Sequence, residues 1–258
     1  MKIAVVGKGG SGKTTLAGTL VRIFAERGRP IIAIDSDHNP NLAVTLGMSR
    51  VESDKIQYVP SSVMEAGERV DGVVMMRPTI PRHQIIERYA VRAADNVDLL
   101  VMGKPAEGSA GSGCMGPEHR AVRGLIAELS SIGDHTMTDM EAGLEHLKRG
   151  TARNVNLMLV VAEPYYRSLE AAMRIYRLAS ELKIPFVQVV ANKVRSREDL
   201  AAIDAFCLRH GMNLIAIVPY DETVAEAEQN EQSPFDFAPD SAGIRAIRKL
   251  ATAIDALT

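Results

Sequence analysis

The chain has 258 residues, 46 % hydrophobic and 24 % charged, which is ordinary globular usage and enough length to bury a core without disulfide or metal staples; disordered and fibrous classes are excluded. A formal charge of -2 with no long lysine or arginine run supplies no general attraction to a polyanion, so nucleic acid is not implied as a partner. Two cysteines, Cys114 and Cys207, are too few for a disulfide framework and fit a reducing compartment.

Met1-Lys2-Ile3-Ala4-Val5-Val6 runs straight into a glycine loop. That leaves no room for the apolar region of a signal peptide, and no stretch reaches the length of a membrane span, so a cytoplasmic protein is expected. From there, short β-rich apolar runs alternate with helical patterns. Strands are predicted over 3–6, 31–34, 97–102, 156–161, 186–190 and 214–218, with helices over 14–26, 82–92, 117–129, 168–182, 197–210 and 241–257. The alternation predicts an α/β fold: a doubly wound, mostly parallel central sheet flanked by helices. Residues 48–81 are the least periodic and 103–116 hold five glycines and two serines, so functional loops are expected there. No repeat and no Pro- or Ser-rich linker divides the chain, and a single domain over 1–258 is the reading.

Gly7 and Gly12 bracket four residues and are followed by Lys13 and Thr14. This is the G-x-x-x-x-G-K-[ST] pattern, placed between a first strand and a first helix. Glycines let backbone N–H groups turn toward a phosphate, the helix N-terminus adds partial positive charge, Lys13 reaches the β- and γ-oxygens, and Thr14 ligates Mg²⁺. The loop Gly9, Gly10, Ser11, Gly12, Lys13, Thr14 and Thr15 is therefore assigned to a nucleoside phosphate.

Lys8 is a second lysine inside that loop, which the ordinary pattern does not need. Lys-Gly-Gly-Ser-Gly-Lys-Thr-Thr resembles the deviant phosphate loop of the P-loop ATPases that include the cell-division regulator MinD, the chromosome-partitioning ATPases and the nitrogenase iron protein. The resemblance implies ATP and ADP as ligands with Mg²⁺, and a homodimer in the ATP state in which Lys8 reaches the phosphates of the facing subunit.

Asp35-Ser36-Asp37 follows the second predicted strand, at the sheet edge where open α/β folds bind ligands. Similarity to the family's first switch implies that Asp37 orients the attacking water and that Asp35 lies near the metal; a helix cap or solvated turn is the plain alternative. Residues 136–139 read as a strand ending in Asp139, which resembles the second switch and implies that Asp139 holds Mg²⁺ through water; a common turn residue is the plain alternative. Asn192 and Lys193 end another strand, where the asparagine amide can meet a base edge. Guanine recognition of the Asn-Lys-x-Asp kind needs an acid at position 195, and Arg195 stands there, so adenine is favoured. Pro219, Tyr220 and Asp221 look like the segment that closes over adenine in this family.

The stretch 139–151, with Glu163-Pro164, Arg167-Ser168 and Asn192-Lys193-Val194, is similar to the CooC-type ATPases that help insert nickel into carbon monoxide dehydrogenase. That likeness implies a client metalloenzyme of the carbon monoxide dehydrogenase kind. Those ATPases carry a Cys-x-Cys pair, whereas this chain has Cys114 with Gly116 in the second place, and a closed four-thiolate site is impossible. Two Cys114 thiolates across a dimer, joined by Met115 or His119, would hold Ni²⁺ or Zn²⁺; a small residue in a tight loop is the alternative. Cys207 falls at helical spacing and is expected to be buried. An electron-transferring reductase is disfavoured, because His146 stands where its second cysteine would be. Two further outputs stay open: a MinD- or partitioning-type positioning ATPase, and an ATP-gated client-binding switch that carries no metal. The apolar stripe of the last predicted helix lacks a surface anchor's aromatics and dense lysines, so a membrane partner is not expected.

Overall fold

The computed structural model describes residues 1–37, 39–70, 73–102, 124–125, 128, 135–140 and 155–257. Its elements run β1 (Lys2–Gly7), α1 (Lys13–Glu26), β2 (Ile31–Asp35), α2 (Leu42–Thr45), α3 (Arg50–Ser53), β3 (Met64–Val70), β4 (Val73–Pro78), α4 (Arg82–Tyr89), β5 (Val91–Ala94), β6 (Val97–Val101) and β7 (His135–Asp139). Then come β8 (Leu157–Ala162), α5 (Tyr166–Glu181), β9 (Phe186–Val194), α6 (Arg197–His210), β10 (Leu214–Pro219), α7 (Glu222–Gln229), α8 (Pro234–Phe237) and α9 (Ala242–Asp255).

Among the described residues eight strands form one sheet in the order β10-β9-β8-β1-β7-β2-β6-β5. Neighbours pair in parallel except β5, which runs antiparallel to β6. β2 and β8 are buried along their whole length, the signature of strands covered on both faces, which is why they read as unbroken apolar runs. The pleat sends alternate side chains to opposite layers. Ile3 and Val5 of β1 pack with α1 and α9, while Ala4 and Val6 pack with Leu169, Ala172 and Ile175 of α5. Every parallel strand thus delivers its carboxyl end to one edge of the sheet.

Two expectations change. The helix expected over 82–92 ends at Tyr89, because Ala90 is extended (φ -75°, ψ 139°); Val91 and Arg92 instead pair with Leu99 and Asp98, and Asn96 takes the left-handed turn position (φ 60°). The stretch 48–81 is structured: it holds α3, a 3₁₀ turn at Ser61–Val63 and an antiparallel β3–β4 pair. Of the helix expected over 117–129, Gly124, Leu125 and Glu128 are described and helical.

α9 settles the apolar stripe. Ser241 caps it by accepting from the Ile244 N–H, and Ile244, Ile247, Leu250, Ala251 and Ile254 are all buried. Cys207 is buried as expected, and burial pushes its thiol up to about 11. No helix among the described residues is long and apolar enough to cross a membrane.

Truncating Leu250 to alanine removes a fully packed side chain and is expected to cost about 2–5 kcal/mol in urea denaturation. A loss below about 0.5 kcal/mol, the range of surface substitutions, would contradict its placement in the core.

Candidate functional site

The loop leaving β1 enters α1 through Gly12, whose φ of 89° is left-handed. A Cβ there would also come within 2.4 Å of the Asn192 amide nitrogen, so position 12 needs glycine for both conformation and space. Ser11 N–H donates to the Lys8 carbonyl (3.1 Å), closing the loop, and Leu16 N–H donates to Gly12 (3.0 Å). Among the described residues no side chain caps α1, and its first turn holds no acid. Its first N–H groups and the partial positive charge of the helix end are therefore available to an anion. Lys13 is only 7 % exposed, and its ammonium reaches the Lys8 carbonyl at 3.5 Å, a long contact for a buried charge.

Facing this cation are two buried carboxylates. Asp35 and Asp139 end adjacent strands as register partners. Thr14 donates its hydroxyl to Asp139 Oδ2 at 2.5 Å, while Asp139 Oδ1 is buried with no hydrogen-bond partner among the described residues. Asp35 is more fully used: its oxygens accept from the N–H groups of Asp37 (3.1 Å) and Leu42 (2.9 Å). It thereby pins the segment that carries Asp37. Burial first, then repulsion from Asp35, pushes Asp139 up to about 7; burial pushes Asp35 up to about 6 against its backbone donors. An orphaned buried carboxylate oxygen beside a threonine hydroxyl suits Mg²⁺, which takes one or two protein oxygens and completes its shell with phosphates and water. No three His, Cys, Asp or Glu side chains gather as a metal cluster among the described residues, so a protein-only cage is not seen there.

The base side departs from expectation in detail. β9 extends through Val194, so Asn192 and Lys193 lie in the strand and both reach back to the phosphate loop. The Asn192 amide donates to the Ser11 carbonyl at 2.7 Å, and the Lys193 ammonium donates to the Gly10 carbonyl at 2.5 Å. Lys193 takes a left-handed backbone (φ 57°), a strained state that the surroundings must hold in place. Arg195 stacks on Tyr220, its guanidinium carbon 3.4 Å from the ring centroid. The Asp221 carboxylate is committed elsewhere: it caps α7 through Thr223 and accepts from Gly243 N–H at 2.7 Å. Those bonds outweigh burial and hold it down to about 2.

A cavity of about 520 Å³ collects these groups, bounded by Gly9, Gly10, Gly12, Lys13, Thr14, Thr15, Asp37, Asn192, Lys193, Pro219, Tyr220 and Asp221. Ser11, Asp35 and Asp139 are buried. Asp37 accepts from Asn39 N–H (2.9 Å), a local turn that orients its carboxylate at the rim. Among the neighbours not foreseen, Glu228 of α7 bounds the cavity and accepts from the Thr15 hydroxyl. Its signal was the shared helix face of Val224 and Glu228, four residues apart. Cys114, Met115, Gly116, His119, His146 and the stretch 141–151 lie outside the described residues.

The two buried aspartates bind protons more tightly folded than unfolded, where the ordinary value is 3.8. The stability they contribute is therefore complete below pH 3.8 and lost as pH rises through about 7. Nucleotide-free protein should lose part of its urea resistance to this pair as pH rises from about 4 to about 7, and Asp139→Asn should flatten that slope. Identical slopes in the two proteins would contradict the assignment.

Comparison with known proteins agrees with this geometry. Residues 2–235 match the family model of the CobQ/CobB/MinD/ParA nucleotide binding domain. An uncharacterized ATP-binding protein of Methanocaldococcus jannaschii is 37 % identical over 232 residues, covering 88 % of each chain. The carbon monoxide dehydrogenase accessory protein CooC of Rhodospirillum rubrum is 35 % identical over 250 residues, covering 93 % of this chain and 91 % of that one. Among solved structures, the septum site-determining protein MinD of Pyrococcus horikoshii complexed with Mg-ADP superposes with a TM-score of 0.68 at 22 % identity, over 99 % of this chain and 96 % of that chain. The chain belongs to the CobQ/CobB/MinD/ParA family of nucleotide-binding proteins, with the mostly parallel P-loop fold of that family.

Proposed function

We propose that this chain is an ATP-hydrolysing switch, a single nucleotide-binding domain over 1–258 that acts in the cytoplasm and closes as a homodimer when ATP is bound. The observation that supports it best is the meeting, at one cavity, of the N-terminus of α1, uncapped among the described residues, with Lys13 and Thr14, the Thr14 hydroxyl being bonded to the buried Asp139 behind it. Loop N–H groups and Lys13 hold the β- and γ-phosphates. Asp37, fixed by its own turn, orients the attacking water, and Lys8 acts on the facing subunit's phosphates. Mg²⁺, when bound through Thr14 and Asp139, neutralises phosphate charge. Adenine is preferred because Arg195, stacked on Tyr220, cannot accept from guanine as an acid would. Turnover is slow and dimer-dependent, since phosphoryl transfer draws on placed charges rather than covalent chemistry.

The output follows the CooC likeness, 35 % identity over nearly the whole chain. In this reading the switch helps mature a metallocentre in a client of the carbon monoxide dehydrogenase kind, with Cys114 from two subunits holding Ni²⁺ or Zn²⁺. The alternative keeps the ATP switch and discards the metal. A MinD-type membrane output is disfavoured by α9, whose apolar face is spent on the core.

Lys13→Ala is expected to abolish tight ATP binding in calorimetry. Asp37→Ala should keep binding within a few-fold and lose at least about tenfold in turnover; full turnover in that variant would contradict its role. For the output, metal content after anaerobic Ni²⁺ exposure and desalting should be higher with ATP than without, and should fall to background in Cys114→Ser. Equal metal in the two proteins would leave the metal-free client switch.

A further inference from the structure

The turn between β8 and α5 joins Lys8 of the phosphate loop to Lys193 of β9. Tyr165 N–H donates to the Glu163 carbonyl (2.8 Å), and Glu163 N–H donates to the hydroxyl of buried Ser168 (3.0 Å). Both side chains therefore leave from a fixed backbone. Glu163 Oε2 accepts from the Tyr165 hydroxyl at 2.9 Å, and Glu163 Oε1 pairs with the Lys193 ammonium at 3.2 Å. Lys193 in turn rests on the Gly10 carbonyl. Having given its one proton to Glu163, the Tyr165 hydroxyl has lone pairs free and accepts from Lys8 Nζ at 3.2 Å. The same ammonium lies 4.9 Å from the Tyr165 ring centroid, within cation–π range.

One carboxylate therefore serves two lysines that sequence reasoning treats separately. The glutamate is well placed for it, its side chain being 13 % exposed against 40 % for that of Lys193. Individually, such contacts on a partly exposed loop are weak, and a phosphate group would draw Lys8 away from a neutral hydroxyl. The circuit fixes where Lys8 starts, and at its other end braces the loop at Gly10, where Lys193 holds a left-handed backbone.

We propose that Glu163 is a positioning residue for the phosphate loop: through Tyr165 it sets Lys8 for action on the facing subunit, and through Lys193 it holds Gly10 in its own subunit. This rests on the reading of Lys8 as the lysine that acts across a dimer. The test uses the full chain with Mg-ATP and compares kcat and KM for Glu163→Gln, Tyr165→Phe, Lys8→Ala and the pairwise doubles with Lys8→Ala. Glu163→Gln should lower kcat about tenfold while KM changes less than about threefold, and Tyr165→Phe should lower kcat in the same direction by less. In the Lys8→Ala background the Tyr165→Phe loss should shrink to within about twofold, and the Glu163→Gln loss should shrink to the smaller part carried through Lys193, since groups that act through one residue are not additive. Losses of the same size in that background, or Glu163→Gln at full kcat, would overturn the proposal while leaving the role of Lys8 intact. Lys8→Ala at full kcat would instead overturn the trans-acting lysine, and this proposal with it. Should Glu163→Gln not fold, Tyr165→Phe with and without Lys8→Ala decides by the same criterion.

Discussion

A lysine and two aspartates buried at one edge of a parallel sheet form the constraint on which the site depends. Charges of this kind are expensive to remove from water unless each is paired, and here the pairing is incomplete. Among the described residues Lys13 has a long contact to a carbonyl and Asp139 keeps one oxygen without a partner, and both aspartates are pushed toward their neutral forms. In the proposed reading a polyphosphate would supply the anion for Lys13 and the α1 N-terminus, and a divalent cation would supply the charge for Asp139 and Thr14. Relief of that buried charge would then form part of the binding free energy, and a ligand with such a differential affinity shifts a domain toward the state it binds.

The fold places those charges by topology. β1 lies between β7 and β8, so the loop after β1 sits beside the carboxyl ends that carry Asp139 on one side and Glu163 on the other. β2 follows beyond β7 and brings Asp35, and β9 beyond β8 brings Asn192 and Lys193. Side-chain layers on the two faces, anchored by α1 and α9 on one and α5 on the other, fix the strands and hence the spacing of these groups. Two of the left-handed positions fall at this edge as well, Gly12 and Lys193, and the Asn192 amide fills the space a side chain at position 12 would take.

Sequence patterns that act locally carried the fold well. The phosphate loop, the strand leading into it and α6 were readable because each depends on neighbours a few residues away. β5 was hidden because Val91 continues the apolar spacing of Ile85 and Ile86, and only the extended Ala90 breaks the helix. The β3–β4 pair was hidden by the glycine and charges of Met64-Glu65-Ala66-Gly67-Glu68-Arg69, although Asp71-Gly72 between Val70 and Val73 is a hairpin signal. In the site, the sequence pointed to residues that gather at one sheet edge, whereas their partners were not readable. The amide of Asn192 serves Ser11, 181 positions away, the carboxylate of Asp221 accepts from Gly243, and Glu163 joins Lys193 to Tyr165. Each of these is set by strand order, which no local window of sequence contains.

The most direct test of the account is the thermal stability of the full chain with Mg-ADP, with ADP and a chelator, with Mg-GDP and with Mg²⁺ alone. If nucleotide and cation together complete the buried charges, Mg-ADP should raise the melting temperature by several degrees. The chelated nucleotide, Mg-GDP and Mg²⁺ alone should each raise it much less. An unchanged melting temperature with Mg-ADP at millimolar concentration would contradict the claim that these buried charges are built for a nucleotide.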